Sequence, residues 1–257
     1  EILIGLVGSE MCIRDRLDGN GKTLTVNYSG SDEQAGIFAT LDGTVKNLRV
    51  AGSFTTTATA KVTLGAVAGK LGEKAQIVGC TNTAGIAMNV DASGTTVIGG
   101  IFGQGAAGNV IADNTNEGRI TVRRKTPGDA AAVAGVGGWA YSDVTGCVNK
   151  GEIRYSDEVS AAKAVYVGGV LGRLDIGKGY VVEGCRNEAP VTLATAQAAN
   201  NLLGGIAAYA NGENRDTPNT IRNCENRGDV LADAPVDTVY LSELSSAAMK
   251  RRTEMSF

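Results

Sequence analysis

Four of the five cysteines stand in one recurring pattern, Ile/Val-x-x-Cys-x-Asn, and they are the first candidates for chemistry in this chain. Four thiolates suit zinc, but a zinc site needs ligands that converge on one point. Equivalent positions of stacked repeats are instead separated by about 4.8 Å per repeat. Leu48 and Asn114 also occupy this position in two repeats. We therefore predict buried, free thiols with no metal, at Cys80, Cys147, Cys185 and Cys224.

Disulfides between cysteines of successive repeats are the other chemistry open to this row. The Cα spacing of stacked repeats permits them, but the Cβ atoms lie farther apart than the preferred value of about 3.8 Å. The pattern thus favours thiols that pack as small apolar side chains.

An asparagine follows the cysteine position by two residues in five repeats, namely Asn82, Asn116, Asn149, Asn187 and Asn226. These amides could bind a ligand if they faced outward. Buried turns, however, have backbone polar groups that must be paired, and stacked amides supply such partners repeat after repeat. We predict an inward asparagine ladder with a structural role.

Acidic residues of the C-terminal half define the competing, catalytic interpretation. Glycoside hydrolysis needs two carboxyl groups about 5–9.5 Å apart. The available acids are Asp157, Glu158, Asp175, Glu183 and Glu188. They do not recur in a paired Asp-Asp or Asn-x-Asp arrangement, and the chain has no histidine, the usual general base. We predict no catalytic residue and no cofactor, although a β-helical polysaccharide lyase or glycosidase is the alternative.

A second signature, a step of two small residues followed by an apolar one, accompanies the first at intervals of about 34 residues. Its second positions are Gly36, Ala66, Gly100, Gly135, Gly169 and Gly205. Such self-similarity indicates a repeat protein whose units bury their apolar faces by stacking. A helical array is disfavoured because each interior glycine costs a helix about 1 kcal/mol.

Short runs rich in Val, Ile and Thr, separated by Asn-x-Gly turns, predict strands in every repeat. Arg119–Val122 and Glu152–Tyr155 are examples. We predict an all-β, parallel β-helix of about six coils with three strands per coil. A β-propeller is the alternative, although its blades need four strands and about 40 residues or more.

The two ends of the chain differ from the repeats. Residues 6–16 match one reading frame of a tagmentation primer, so we predict that residues 1–16 derive from a sequencing adapter. The repeat domain is predicted over residues 17–236. For residues 237–257 we predict either a helical cap or a tail that derives from a truncated or frame-shifted sequence.

Charge and hydropathy exclude two classes of function. The net charge is −3, whereas nucleic-acid binding requires clustered basic charge. No apolar run approaches the roughly 18–20 residues of a membrane-spanning helix. We therefore predict no nucleic-acid partner and no membrane span in this chain.

Several segments resemble bacterial surface proteins with GLUG-type repeats, especially the Bacteroidetes-like versions. The resemblance rests on three segments, Leu17–Thr25, Gly43–Val50 and Thr220–Val230. It implies a right-handed β-helix at the outer cell surface or outside the cell, with a signal or lipoprotein anchor upstream. It also implies a non-catalytic role in adhesion or glycan contact, with glycans or a cell-surface protein as partners. A structural stalk is a further alternative.

Overall fold

The structure is a computed structural model that describes residues 16–125, 128–158, 163–175, 179–195, 200–210, 218–233 and 238–240. Within these ranges the regular secondary structure consists of strands alone. The adapter-like segment lies outside the described residues except for Arg16, which begins the first strand. The tail lies outside them except for Thr238–Tyr240, which forms a strand.

Four parallel sheets, numbered 1 to 4 in the order in which the chain first enters them, form the walls of a solenoid. Strands of sheet 1 are Arg16–Asp18, Thr44–Lys46, Gln76–Val78, Val110–Ala112, Val144–Thr145, Val181–Glu183 and Thr220–Arg222. Strands of sheet 2 are Thr23–Gly30, Arg49–Thr56, Thr81–Asn82, Gly85–Val90, Thr115–Asn116, Ile120–Arg124, Val148–Asn149, Ile153–Asp157, Arg186–Asn187, Val191–Ala194, Glu225–Asn226 and Val230–Ala232.

The chain then turns into the remaining two walls before it begins the next coil. Strands of sheet 3 are Gln34–Ala35, Val62–Gly65, Thr96–Gly99, Ala131–Ala134, Val165–Gly168, Asn201–Gly204 and Thr238–Tyr240. Strands of sheet 4 are Phe38–Leu41, Ala68–Leu71, Phe102–Gln104, Gly137–Ala140, Leu171–Leu174 and Ala207–Ala210.

Strand pairing confirms the predicted parallel β-helix. Residues about one repeat apart pair in parallel, as Asn82 does with Asn116 and Ile98 with Val133. The β-propeller alternative is wrong because strands pair between successive coils and not within one repeat. The hand of the coil stays a prediction.

The Gly-Gly step is a corner and not the single strand that the sequence predicts. In the third coil one strand ends at Gly99 in sheet 3, and the next begins at Phe102 in sheet 4. Each coil therefore has more strands than the predicted three. The first coil has one residue fewer at this corner. Because Ala35 pairs with Leu64, Gly36 lies opposite Gly65 and not opposite Ala66.

Rows of β-branched and leucine side chains fill the interior. One row runs along sheet 1, where Val45, Ile77, Ile111, Val144, Val182 and Ile221 are in register. Another runs along sheet 3, where Leu64, Ile98, Val133, Val167 and Leu203 are in register. Branched side chains suit this stacking because they pack well on a pleated surface. The narrow interior explains why the sequence uses so few aromatic residues.

After every strand of sheet 1 except the first, one left-handed residue makes the turn from sheet 1 to sheet 2. The residues in this row are Asn47, Gly79, Asp113, Gly146, Gly184 and Asn223, with φ between 52° and 64°. Asn, Asp and Gly adopt this conformation more readily than other residues. Each one immediately precedes the cysteine position, so the turn determines where that side chain enters the core.

Candidate ligand-binding surface

The structure places the four predicted cysteines in one buried row at the turn between sheets 1 and 2, all as free thiols. Their Sγ–H groups donate to backbone carbonyls, for example Cys185 to Val144 at 3.5 Å. Burial raises the pKa of the Cys80 thiol to about 11. A hydrogen bond with the Cys147 thiol, together with burial, raises the pKa of Cys185 to about 12. Since the thiolate is the nucleophile and the metal ligand, these two thiols are inert at neutral pH.

The five predicted asparagines form one continuous row of amides inside the solenoid. Nδ2 of each asparagine donates to Oδ1 of the next, at distances of 2.7–2.9 Å from Asn82 to Asn226. The same Nδ2 donates to the carbonyl two residues farther along its own chain, as from Asn149 to Gly151 at 3.0 Å. The amides thus satisfy buried turn carbonyls, and they do not face a ligand.

The two sequence signatures pack directly on each other. A Cβ atom added to Gly135 would overlap the amide of Asn149, and one added to Gly169 would overlap Asn187. Gly100 and Gly205 have the same relation to Asn116 and Asn226. In these four coils the asparagine amide occupies the space that a side chain at the glycine would need, whereas the coil of Asn82 has Ala66 at this position. This contact explains why both signatures recur together.

The five acids considered for catalysis are spread over three walls of the solenoid, and each has a hydrogen-bonding or ionic partner. Glu183 in sheet 1 pairs with Arg222 at 2.8 Å. Glu188 pairs with Arg186 at 2.6 Å, and Glu158 pairs with Arg123. Among the described residues, no three or more Cys, Asp or Glu side chains form a group that could hold a metal ion.

Asp157 belongs to a buried polar group that sequence analysis did not identify. It is in register with Arg124, which has no exposed surface. The Arg124 guanidinium donates to the carbonyls of Ala92 at 3.1 Å, Gly94 at 2.9 Å and Asp129 at 3.0 Å. Asp157 accepts a hydrogen bond from Thr195 at 2.7 Å. The arginine therefore holds the turns between sheets 2 and 3 in two successive coils, which is a structural role.

Asp175, the last of the five acids, lies in a group of side chains on the outer face of sheet 4. We call this group the aromatic cluster, and it consists of Trp139, Tyr141, Tyr166, Arg173, Asp175 and Tyr209. Three of its members come from one row of sheet 4, in which Trp139, Arg173 and Tyr209 are in register on successive coils. Tyr166 reaches the cluster from sheet 3.

Arg173 is the centre of the aromatic cluster. Its Cζ atom lies 4.2 Å from the ring centroid of Trp139, 5.3 Å from that of Tyr209 and 5.5 Å from that of Tyr166. A guanidinium within about 6 Å of an aromatic ring is attracted by the negative face of that ring. Asp175 accepts from Arg173 at 3.0 Å and from Nε1 of Trp139 at 3.0 Å. These bonds fix the rings in one arrangement.

Tyr141 extends the aromatic cluster beyond the row. Its ring is stacked with that of Trp139, with centroids 5.9 Å apart and an angle of 10° between the planes. Burial and the nearby Asp175 carboxylate raise the pKa of Tyr141 to about 12. Its hydroxyl therefore remains a neutral hydrogen-bond donor at physiological pH.

Sequence analysis missed the aromatic cluster because its members are far apart in the chain and differ in type. A usable signal exists. The residue after the small residue that ends each corner faces outward, which gives the register row Lys70, Gln104, Trp139, Arg173 and Tyr209. That small residue is glycine in four of these coils and Ala208 in the last, and aligning the repeats on it shows three large side chains in succession.

Comparison of this chain with protein-family models, curated proteins and solved structures gives no match. No helix in the described part of the chain is long and apolar enough to cross a lipid bilayer. Because a solenoid fold hosts many functions, a functional conclusion must rest on the aromatic cluster itself.

Proposed function

We propose that this chain is a non-catalytic repeat domain of the cell surface or extracellular space, and that it contacts glycans through the aromatic cluster. The observation that carries the proposal is the convergence of four aromatic rings, one arginine and one aspartate on the outside of the fold, whereas most other aromatic side chains in the described part of the chain are interior. The cellular location rests on the resemblance to GLUG-type surface proteins.

The chemistry of the aromatic cluster suits sugars. Aromatic rings have a negative face, which attracts the polarised C–H groups on the apolar face of a pyranose ring. Tyrosine hydroxyls and the Gln104 amide lie beside the rings and can exchange hydrogen bonds with sugar hydroxyls. Ion pairing between Arg173 and Asp175 holds the rings before a ligand arrives, which lowers the entropic cost of binding.

The arrangement of the acids favours binding over hydrolysis. A glycosidase requires two carboxyl groups facing one bond, about 5–9.5 Å apart. Asp157 ends a strand of sheet 2, Glu183 ends a strand of sheet 1, and Asp175 follows a strand of sheet 4. Their partners are a threonine, an arginine and the aromatic cluster, respectively.

A glycan array and a polysaccharide-depolymerisation screen, run side by side on the chain, test this proposal. We expect binding on the array without release of reducing or unsaturated ends. Release of such ends would refute the non-catalytic proposal, and silence on the array would refute glycan contact.

Two arginine variants connect the binding to the aromatic cluster. Arg173→Ala should abolish binding because it removes the charge that orders three rings. Arg222→Ala is the matched control, since it breaks an ion pair of similar length on sheet 1 and should leave binding unchanged. Equal effects of the two substitutions would place the binding surface elsewhere.

A further inference from the structure

We propose that the aromatic cluster binds a linear, uncharged polysaccharide that lies along the axis of the solenoid, and not the terminal sugar of a branched glycan. This inference rests on the proposed glycan contact and specifies its ligand. It is carried by the register of the outward row and by the compensated charge of Arg173.

The outward row of sheet 4 has the period of an extended sugar chain. Lys70, Gln104, Trp139, Arg173 and Tyr209 are in register on successive coils. Neighbouring parallel strands are about 4.8 Å apart, so the row covers about 19 Å along the axis. A sugar unit in an extended polysaccharide advances by nearly the same distance. One unit can therefore lie over each coil, and successive units meet equivalent positions.

The close packing of sheets 3 and 4 keeps this row in one narrow strip. A Cβ atom added to Gly138 would lie 2.8 Å from the backbone nitrogen of Ile98, so the two sheets are nearly in backbone contact. The rings of Tyr166 on sheet 3 and Tyr209 on sheet 4 consequently approach to 5.4 Å between centroids. Rings from two walls of the solenoid thus form a single elongated surface, which suits a chain better than a compact ligand.

Charge compensation points to a neutral ligand. Arg173 has its guanidinium 3.0 Å from the Asp175 carboxylate, which leaves little net charge at the centre of the strip. Lys70 is exposed and forms no salt bridge in the described part of the chain, but it lies three coils away from Arg173. An acidic polysaccharide would bring carboxylates close to Asp175, and the only cation of the aromatic cluster, Arg173, is already paired.

Chain-length dependence of the affinity is the decisive measurement. Cello-, laminari- and manno-oligosaccharides of one to six units would be titrated into the protein by calorimetry. For the series that binds, we expect an affinity that rises about tenfold from two to four units and then levels off. Affinity that is the same for one unit and for six would refute the linear ligand. The linear ligand would also be refuted if none of the three series bound and a branched glycan bound on the array. If no glycan on the array bound, the proposed function itself would be refuted.

Two substitutions and a salt titration complete the test. Tyr209→Ala removes the last ring of the row and should shorten by one unit the chain length at which the affinity levels off. Arg222→Ala, which breaks an ion pair on sheet 1, should change the affinity less than twofold, because the ligand lies on sheet 4. Affinity should also be insensitive to salt, which screens charges over about 10 Å at 0.1 M. Tight, salt-sensitive binding of an acidic polysaccharide would overturn the assignment of a neutral ligand.

Discussion

Removing one amide from the middle of the asparagine row tests whether that row holds the coils together. Asn149 accepts from Asn116 at 2.9 Å and donates to Asn187 at 2.7 Å and to the Gly151 carbonyl at 3.0 Å. In Asn149→Ala the second Nδ2 hydrogen of Asn116 and the Oδ1 atom of Asn187 both lose their partner in a buried environment. An orphaned buried group costs about 1–3 kcal/mol, so we expect a loss of about 2–6 kcal/mol in the free energy of unfolding.

The end of the row supplies the control. Asn226 is the last member of the row, so Asn226→Ala removes the partner of only one neighbouring amide, that of Asn187. Because Asn226 is half-buried, water can reach the site. We expect a loss of about 1 kcal/mol, the net value of a single hydrogen bond.

Urea unfolding followed by far-ultraviolet circular dichroism measures both losses, and fluorescence of the single tryptophan provides an independent probe. Repeat proteins can unfold in parts, so agreement between the two probes is required before free energies are compared. Equal losses in the two variants, or a loss below about 0.5 kcal/mol in Asn149→Ala, would refute the structural role of the row.

Three further predictions concern the corners and the thiols. Gly184 has φ of 62° and open space around it. Gly184→Ala should therefore lower the free energy of unfolding in urea by about 1–2 kcal/mol. Gly184→Asn should be near neutral, because Asn fills this position in other coils. Gly135→Ala should cost about 3 kcal/mol, since the new methyl group would overlap the Asn149 amide, and a near-neutral result would contradict that contact. The pKa of Cys80 is raised from 9.0 to about 11, so its thiol contributes stability fully below pH 9 and loses that contribution as the pH rises to 11. Unfolding midpoints should therefore fall less steeply over this pH range in Cys80→Ala than in the unsubstituted chain, and parallel curves would argue against a buried thiol.

Features that recur in every repeat could be predicted from the sequence, and features that differ between repeats could not. The period, the parallel β-helix and the two signatures follow from glycine, cysteine and asparagine at fixed spacing. The corner at Gly100 was predicted as part of a strand because its cause, the amide of Asn116, lies on another wall of the coil. Local sequence does not report such a contact.

The aromatic cluster and Arg124 show the second limit. Outward positions are not constrained by the core, so the row that contains Trp139 and Tyr209 changes residue type at each coil. Arg124 interrupts a row that holds Val90 and Asp157 in the neighbouring coils. A single buried arginine has no periodic signal, and its three carbonyl partners are formed only when the turns fold.

Through the asparagine row, every interior coil makes the same hydrogen bonds to its two neighbours, since each amide accepts from the preceding coil and donates to the next. If a whole coil were excised, Asn116 could donate directly to Asn187, and no amide of the row would lose its partner. Unequal crossing-over within the gene could therefore lengthen or shorten the rod by whole coils without redesign of its interior. The length of such a domain is then free to evolve, while an outward cluster keeps a fixed position on the coils that encode it.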